Sequence, residues 1–191
     1  MTGSRMPEGA SRIPDPPSAF FREHESELVA SADIGPVLDL ACGRGRHAVA
    51  AAALGLRVIA VDRNREALDL LRAFTPGKPG QIEPLQTDLE SQPFPPFPSS
   101  RFGAVLVFRY LHRPLSTWIE DLIAEGGLLL YETFTRDQRE LGWGPSRDEF
   151  LLAPGELPTL FPNLEVETYE EGPSKDDRAP RTARLAARRI R

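Results

Sequence analysis

The sequence predicts one α/β domain, a doubly wound, mostly parallel seven-stranded sheet with an antiparallel C-terminal hairpin. Three observations predict it. Apolar runs and helical segments alternate between residues 36 and 74, which calls for parallel strands joined by crossover helices. A tight turn holding Gly43 and Gly45 stands at the first strand-to-helix junction. The last strand-like segments, 164–169 and 182–190, follow each other with no helix between them and are expected to pair antiparallel. The length of 191 residues leaves room for one such domain. Residues 1–17, rich in Gly, Ser and Pro, are expected to be a disordered leader, and 18–191 the folded domain.

Each element has a local reason. Ser18 is suited to cap a first helix running to about Ala30. Val37 to Ala41 is the first strand, the Ala-rich stretch His47 to Leu54 a helix, and Arg57 to Asp62 a second strand with β-branched Val58, Ile59 and Val61. Ala67, Leu68, Leu71 and Phe74 recur at helical spacing, and Pro76 with Gly77 ends that helix. Gln81 to Gln86 reads as a third strand, which Pro84 confines to a sheet edge. The prolines between 93 and 98 disfavour a crossover helix before the fourth strand, Phe102 to Phe108. Pro114 opens a helix to about Ala124, Glu125 to Gly127 is a turn, and Leu128 to Phe134 is the fifth strand. A polar loop, 135–152, contains Trp143, and Pro154 opens a short helix to Phe161.

Composition narrows the partners. Lysine plus arginine number 23 against 28 aspartate plus glutamate, a net charge of -5, so no global basic field gathers a nucleic acid or an anionic membrane. Residues 172–191 are locally basic without interleaved aromatics, and they read as an edge strand protected by charge. No apolar run reaches the roughly 18–20 residues of a membrane span, and Cys42 is the single cysteine. A cytoplasmic protein without nucleic-acid or membrane partners is expected. His24, His47 and His112 lack paired ligand spacing, so no metal is expected either.

The chemistry concentrates in the turn from Asp39 to Ala48. Glycines let a ligand approach the backbone, and the following helix offers unpaired N–H groups. Asp62 follows Gly43 by 19 residues, at the end of the second strand, where a carboxylate can accept both hydroxyls of a ribose. Gly43, Gly45 and Ala48 with Asp62 also satisfy the dinucleotide fingerprint, so the glycines alone do not choose the ligand. Asp39 favours a ligand with an ammonium at that end over a pyrophosphate, whereas Arg44 and Arg46 would balance a phosphate.

In order, VLDLACGRGRH from Val37, VIAVDRN from Val58, Asp88-Leu89, FGAVLVFRYLH from Phe102 and GGLLLYETF from Gly126 form a set. This set resembles the compact Rossmann-type (class I) S-adenosylmethionine-dependent methyltransferases, including their small-molecule and tellurite-resistance-like group. The likeness covers about residues 36–135, and Phe150 to Leu157 also fits that group. It implies S-adenosylmethionine as cofactor and methyl transfer to a small-molecule acceptor. Asp39, Ala41, Gly43 and Gly45 then match the motif holding the methionine part, and Asp62 the ribose acid, with Arg63 against the adenine. Asp88 and Leu89 match the adenine-facing pair, and Phe108 and Arg109 the end of the fourth strand. Arg44, Arg46 and the Pro-rich 93–98 depart from the family pattern.

Methyl transfer from a sulfonium needs alignment and desolvation, and a base only when the acceptor arrives protonated. His112, just past the fourth strand, and Tyr131 in the fifth are the catalytic candidates; Tyr110 is a further candidate for the acceptor pocket. Tyr131 and Glu132 must point to opposite faces. Two other classes share these features, an NAD-dependent oxidoreductase and a non-catalytic cofactor-binding protein.

Overall fold

The computed structural model describes residues 15–74, 81–91, 97–173 and 179–190. Its strands are β1 (Val37–Leu40), β2 (Val58–Asp62), β3 (Ile82–Gln86), β4 (Phe102–Phe108), β5 (Ile123–Phe134), β6 (Leu164–Pro173) and β7 (Arg181–Arg189). They form one seven-stranded sheet in the order β3-β2-β1-β4-β5-β7-β6. Strands β1 to β5 run parallel to one another, and β7 is antiparallel to both β5 and β6. The strand order reverses between β1 and β4, and a ligand crevice opens at such a switch point beyond the carboxyl ends of the strands.

The central strands β1 and β4 are apolar apart from Asp39 because both sheet faces are covered. Leu38, Leu40, Val105 and Val107 point into one core, with Leu115, Ile119 and Leu122 from the segment containing α5 (Ser116–Leu122). Val37, Ala104, Leu106 and Phe108 point into the other. There they meet α1 (Ala19–Glu23), α2 (Glu25–Ala30), α3 (Arg46–Ala53) and α4 (Arg65–Phe74). Each fully buried Leu or Phe among them stabilises the fold by roughly 1.5–3 kcal/mol. Helix α3 turns Ala48 and Ala51 to the sheet, so it sits close, and Asn64 caps α4 by accepting from the Ala67 N–H at 3.2 Å.

Several expectations hold. Phe102–Phe108 is a strand as expected, and β3 with Pro84 is an edge strand. The antiparallel C-terminal hairpin is present. Others change. Ser18 caps as expected, its Oγ accepting from the Phe21 N–H at 3.1 Å, but the first helix is two short ones broken at His24. The expected turn at 125–127 is absorbed into β5, whose register with β4 shifts between Phe102 and Ala104. The helix expected after Pro154 is reduced to α6 (Glu156–Thr159). The arginine-rich strand is not an edge. Because β7 pairs on both sides, the exposed edge passes to β6. Cross-strand pairs Arg184–Glu170 and Arg188–Glu167 match the basic strand to the acidic one. Residues 1–14, Pro76 with Gly77, and the prolines at 93, 95 and 96 lie outside the described residues.

The start of β4 is held by a close backbone crossing. A Cβ on Gly103 would stand 2.2 Å from the Ser31 carbonyl oxygen and 2.7 Å from that of Gly35, and backbone on both sides cannot yield cheaply. Gly103→Ala is expected to destabilise the protein by about 3 kcal/mol. Urea unfolding should show a lower midpoint at unchanged slope; an unchanged midpoint would contradict this reading of the crossing.

Candidate functional site

Two cavities adjoin at the carboxyl ends of the parallel strands. Cavity 1, about 380 Å³, is lined by Ala41, Asp62, Arg63, Asp88, Leu89 and Glu90 on one side and by Arg109, Tyr110, Phe134 and Phe150 on the other. Cavity 2, about 270 Å³, is lined by Asp39, Ala41, Cys42, Gly43, Arg46, Phe108 and Arg109. Ala41 and Arg109 border both. They are also among the non-glycine residues with left-handed backbone, at φ 53° and 58°. Such conformations cost about 1–3 kcal/mol and persist where the surroundings hold them. Here the Arg109 N–H donates to the Glu132 carbonyl at 2.7 Å, and the next N–H after Ala41, that of Cys42, donates to the Val61 carbonyl at 2.9 Å.

Asp62 ties the glycine turn to the second strand. Its Oδ2 accepts from the Gly43 N–H at 2.7 Å and its Oδ1 from the Asn64 N–H at 2.8 Å, leaving a further lone pair on each oxygen. Gly43 has φ 56° and open space where a Cβ would stand, so the turn presents bare backbone. Gly45 is different. It is buried, lines neither cavity, and its missing Cβ makes room for Leu71, whose Cδ1 would lie 2.5 Å away.

Asp39 lines cavity 2 although only 1 % of it is exposed. Its Oδ2 accepts from the Ala48 N–H at 3.0 Å, pinning the first turn of α3 to β1. Burial pushes its carboxyl up to about 7, opposed by that hydrogen bond and by Arg46. His47, on the same turn, stacks on Phe108 at 3.7 Å between ring centroids, and its Nε2 accepts from the Ser18 N–H at 3.2 Å. Burial, then the charges of Arg46 and Arg109, hold it down at about 3, so it is a neutral acceptor. Phe20 and Phe21, buried beside Phe108, bring the first helix under this end of the site. Burial likewise raises the Cys42 thiol, which leaves it protonated and unsuited to nucleophilic work.

The catalytic candidates separate. Tyr131 is 2 % exposed inside the core, beside Phe161, and its hydroxyl donates to the Tyr110 carbonyl at 3.0 Å. It supports the loop after β4 and lines neither cavity. His112 is half-buried and also lines neither; its carbonyl accepts from the Leu115 N–H at 3.0 Å, opening the short 3₁₀ turn ahead of α5. Tyr110 does line cavity 1. Its hydroxyl is buried without a hydrogen-bond partner among the described residues, and burial with nearby Glu90 and Asp88 keeps it protonated. Tyr131 and Glu132 do face opposite sides, Glu132 lying buried among Ser18, Arg46, Arg109 and Arg184.

The far wall comes from the loop after β5 and from the start of the Phe150 to Leu157 segment. The loop after β5 folds back because the Leu152 N–H donates to the Phe134 carbonyl at 2.9 Å and the Arg136 N–H to the Leu152 carbonyl at 3.0 Å. Buried Gln138 braces it, donating to the Trp143 carbonyl at 2.8 Å and accepting from the Arg181 N–H at 2.9 Å. Arg113 reaches the Glu149 and Leu151 carbonyls at 3.0 and 2.9 Å while pairing with Glu156. Pro145 and Phe150 are thereby held at cavity 1, whereas Trp143, 47 % exposed, packs edge-on to Phe134 and stays outside it. Among the described residues no helix is long and apolar enough to cross a membrane, and no group of three His, Cys, Asp or Glu is placed to hold a metal ion.

The family model for a methyltransferase domain matches residues 37–126. No curated protein matches the sequence. The fold is similar to that of an S-adenosylmethionine-dependent methyltransferase from Mesorhizobium loti, at 18 % identity and a TM-score of 0.64, covering 87 % of this chain and 97 % of that one. It is similar to the CcbJ methyltransferase of Streptomyces caelestis, at 18 % identity and a TM-score of 0.67, covering 96 % and 94 %. TehB from Haemophilus influenzae is similar at 23 % identity and a TM-score of 0.62; the match covers 87 % of this chain and 62 % of TehB.

Proposed function

We propose that this chain, whose residues 37–126 match a methyltransferase domain, is an S-adenosylmethionine-dependent methyltransferase of class I that methylates a small-molecule acceptor admitted to cavity 1 beside Arg109 and Tyr110. The observation that supports this reading most is the wall made by Pro145 and Phe150, which turns the acceptor side into a bounded cavity.

The residues present fit the cofactor. Bare backbone at Gly43, a carboxylate with spare lone pairs at Asp62 and an unpartnered buried hydroxyl at Tyr110 all border the two cavities. In our assignment Asp39, Ala41, Gly43, Phe108 and Arg109 surround the methionine part, and Gly45 keeps the turn in shape. Asp62 takes the ribose hydroxyls, and Arg63, Asp88 and Leu89 flank the adenine. When bound, S-adenosylmethionine supplies a methyl group already activated by its sulfonium. The chain's part is to align the acceptor and exclude water. No general base is assigned, because His112 and Tyr131 line neither cavity.

Thermal unfolding with S-adenosylhomocysteine tests the assignment. At about 100 times its dissociation constant the ligand should add about 2.7 kcal/mol of stability. That corresponds to a rise of roughly 5–10 °C in Tm for a chain of this size. A shift with NAD and none with S-adenosylhomocysteine would overturn the reading. Transfer of labelled methyl groups to compounds in a metabolite extract then tests the acceptor class; labelling of protein or nucleic acid alone would refute a small-molecule acceptor.

A further inference from the structure

Cavity 1 has to hold parts of two reactants. Its volume of about 380 Å³ lies near the lower end of the roughly 300–1,000 Å³ that suits a single drug-sized ligand. In our assignment the side formed by Asp62, Arg63, Asp88 and Leu89 is taken by the adenosine of the cofactor. Only the methyl-accepting end of an acceptor then fits inside, and its body must leave past Phe134, Pro145 and Phe150.

The surface outside that opening is aromatic. Among the described residues two large aromatic side chains stand exposed, Trp143 at 47 % and Phe150 at 37 %, and both belong to the loop that walls cavity 1. The Trp143 ring stands perpendicular to that of Phe134 with centroids 6.5 Å apart, so the indole continues the aromatic wall of the cavity outward. Planar cations interleave these rings. The Arg109 guanidinium lies 5.9 Å over Phe134 and that of Arg147 lies 4.8 Å over Phe150. Rings and guanidinium planes together favour the π face of a ligand over an aliphatic chain.

The backbone holds the indole in place. Gly142 and Gly144, at φ 69° and 82°, put left-handed residues on both sides of Trp143. Fully buried Gln138 donates to the Trp143 carbonyl at 2.8 Å, and a Cβ on Gly144 would stand 3.2 Å from the same amide nitrogen. A solvent-facing tryptophan braced in this way is a pre-organised contact, which lowers the ordering cost of binding.

We propose that Trp143 is a specificity-determining residue: it receives the planar aromatic body of an acceptor whose methyl-accepting end enters cavity 1. The inference rests on the methyltransferase reading, which puts adenosine in the cavity and so directs the acceptor's body outward. A second fused ring gains by reaching Trp143, whereas a single ring stays inside on Phe134 and Phe150. A saturated ring system of the same size lacks the flat face that the indole matches.

Calorimetry on the full chain saturated with S-adenosylhomocysteine tests this with three probes: naphthol, phenol, and decahydronaphthol, the saturated counterpart of naphthol. Wild type is expected to bind naphthol more tightly than either of the others by about tenfold or more. Trp143→Ala loses that advantage and holds phenol within about twofold of wild type, and Trp143→Phe restores part of the loss. Naphthol no tighter than phenol, or decahydronaphthol as tight as naphthol, overturns the proposal. So does a Trp143→Ala variant that weakens phenol as much as naphthol, because the residue would then only support the loop. The three-probe comparison uses wild type and decides the matter even if a variant does not fold. S-adenosylhomocysteine itself is expected to bind wild type and Trp143→Ala equally, since Trp143 lines neither cavity. If it binds neither, the methyltransferase reading falls, and the same probes titrated into the free protein decide the aromatic rim alone.

Discussion

Asp62→Ala is expected to weaken S-adenosylhomocysteine binding by about a thousandfold, or about 4 kcal/mol. Two losses combine. In the proposed complex Asp62 accepts from both ribose hydroxyls, and hydrogen bonds to a charged group are worth roughly 1.5–3 kcal/mol each. The substitution also releases the Gly43 N–H, bonded to Oδ2 at 2.7 Å, so the glycine turn loses its tie to the second strand before any ligand arrives. Asp62→Asn keeps one acceptor oxygen, and a smaller loss is expected from it. Calorimetry at constant pH measures both. A loss under threefold for the alanine variant would show that Asp62 serves only as the brace of the turn.

Asp39→Asn is expected to change how stability depends on pH. The wild-type carboxyl titrates near 7 in the folded chain because it is buried, against roughly 3.9 in an unfolded one. Between those values the folded state holds more protons, so its stability falls as pH rises from about 4 to about 7 and is level above. The difference of about 3 pH units corresponds to an effect on the order of 4 kcal/mol. Asparagine does not titrate, so the variant should gain on wild type across that window. His47 slopes the opposite way, its stability contribution lost as pH falls below about 6.5, but it is present in both proteins and cancels in the difference. The buried amide N–H₂ of asparagine brings a constant penalty of roughly 1–3 kcal/mol, which displaces the curve without tilting it. Urea unfolding from pH 4 to pH 8 reads the difference; parallel curves would mean that Asp39 ionises in the fold as freely as in water. In the proposed complex an ammonium beside Asp39 favours its charged form, so cofactor affinity should rise through the same window in wild type and stay level in the variant.

Much of the site was readable because it lies at strand ends. A run such as Val58 to Val61 announces a strand by its branching, the strand fixes the place of Asp62, and a switch-point sheet opens its crevice there. Asp88, Leu89, Phe108 and Arg109, which the family resemblance marks, border the cavities too. The two candidate catalysts, His112 and Tyr131, line neither cavity, and for Tyr131 the reason is related. A strand's alternation says that Tyr131 and Glu132 diverge, but it does not say which face α6 and Phe161 will cover. Arg113 could have drawn notice as an isolated charge before a helix, yet its partners Glu149, Leu151 and Glu156 lie over 35 residues away.

The sequence by itself determined the number of the strands and their succession along the chain, the glycine turn and the acid that follows it, because periodicity, propensity and turn chemistry act between near neighbours. Tertiary structure decided what those signals leave free. It inserted the arginine-rich β7 inside the sheet, and it buried Asp39 and so raised its proton affinity. It also held Ala41 and Arg109 left-handed, and brought Arg46 and Arg109 to one cavity from positions 63 residues apart. Each of these depends on which surfaces pack together, and the free energy of that packing is shared among elements that are distant along the chain.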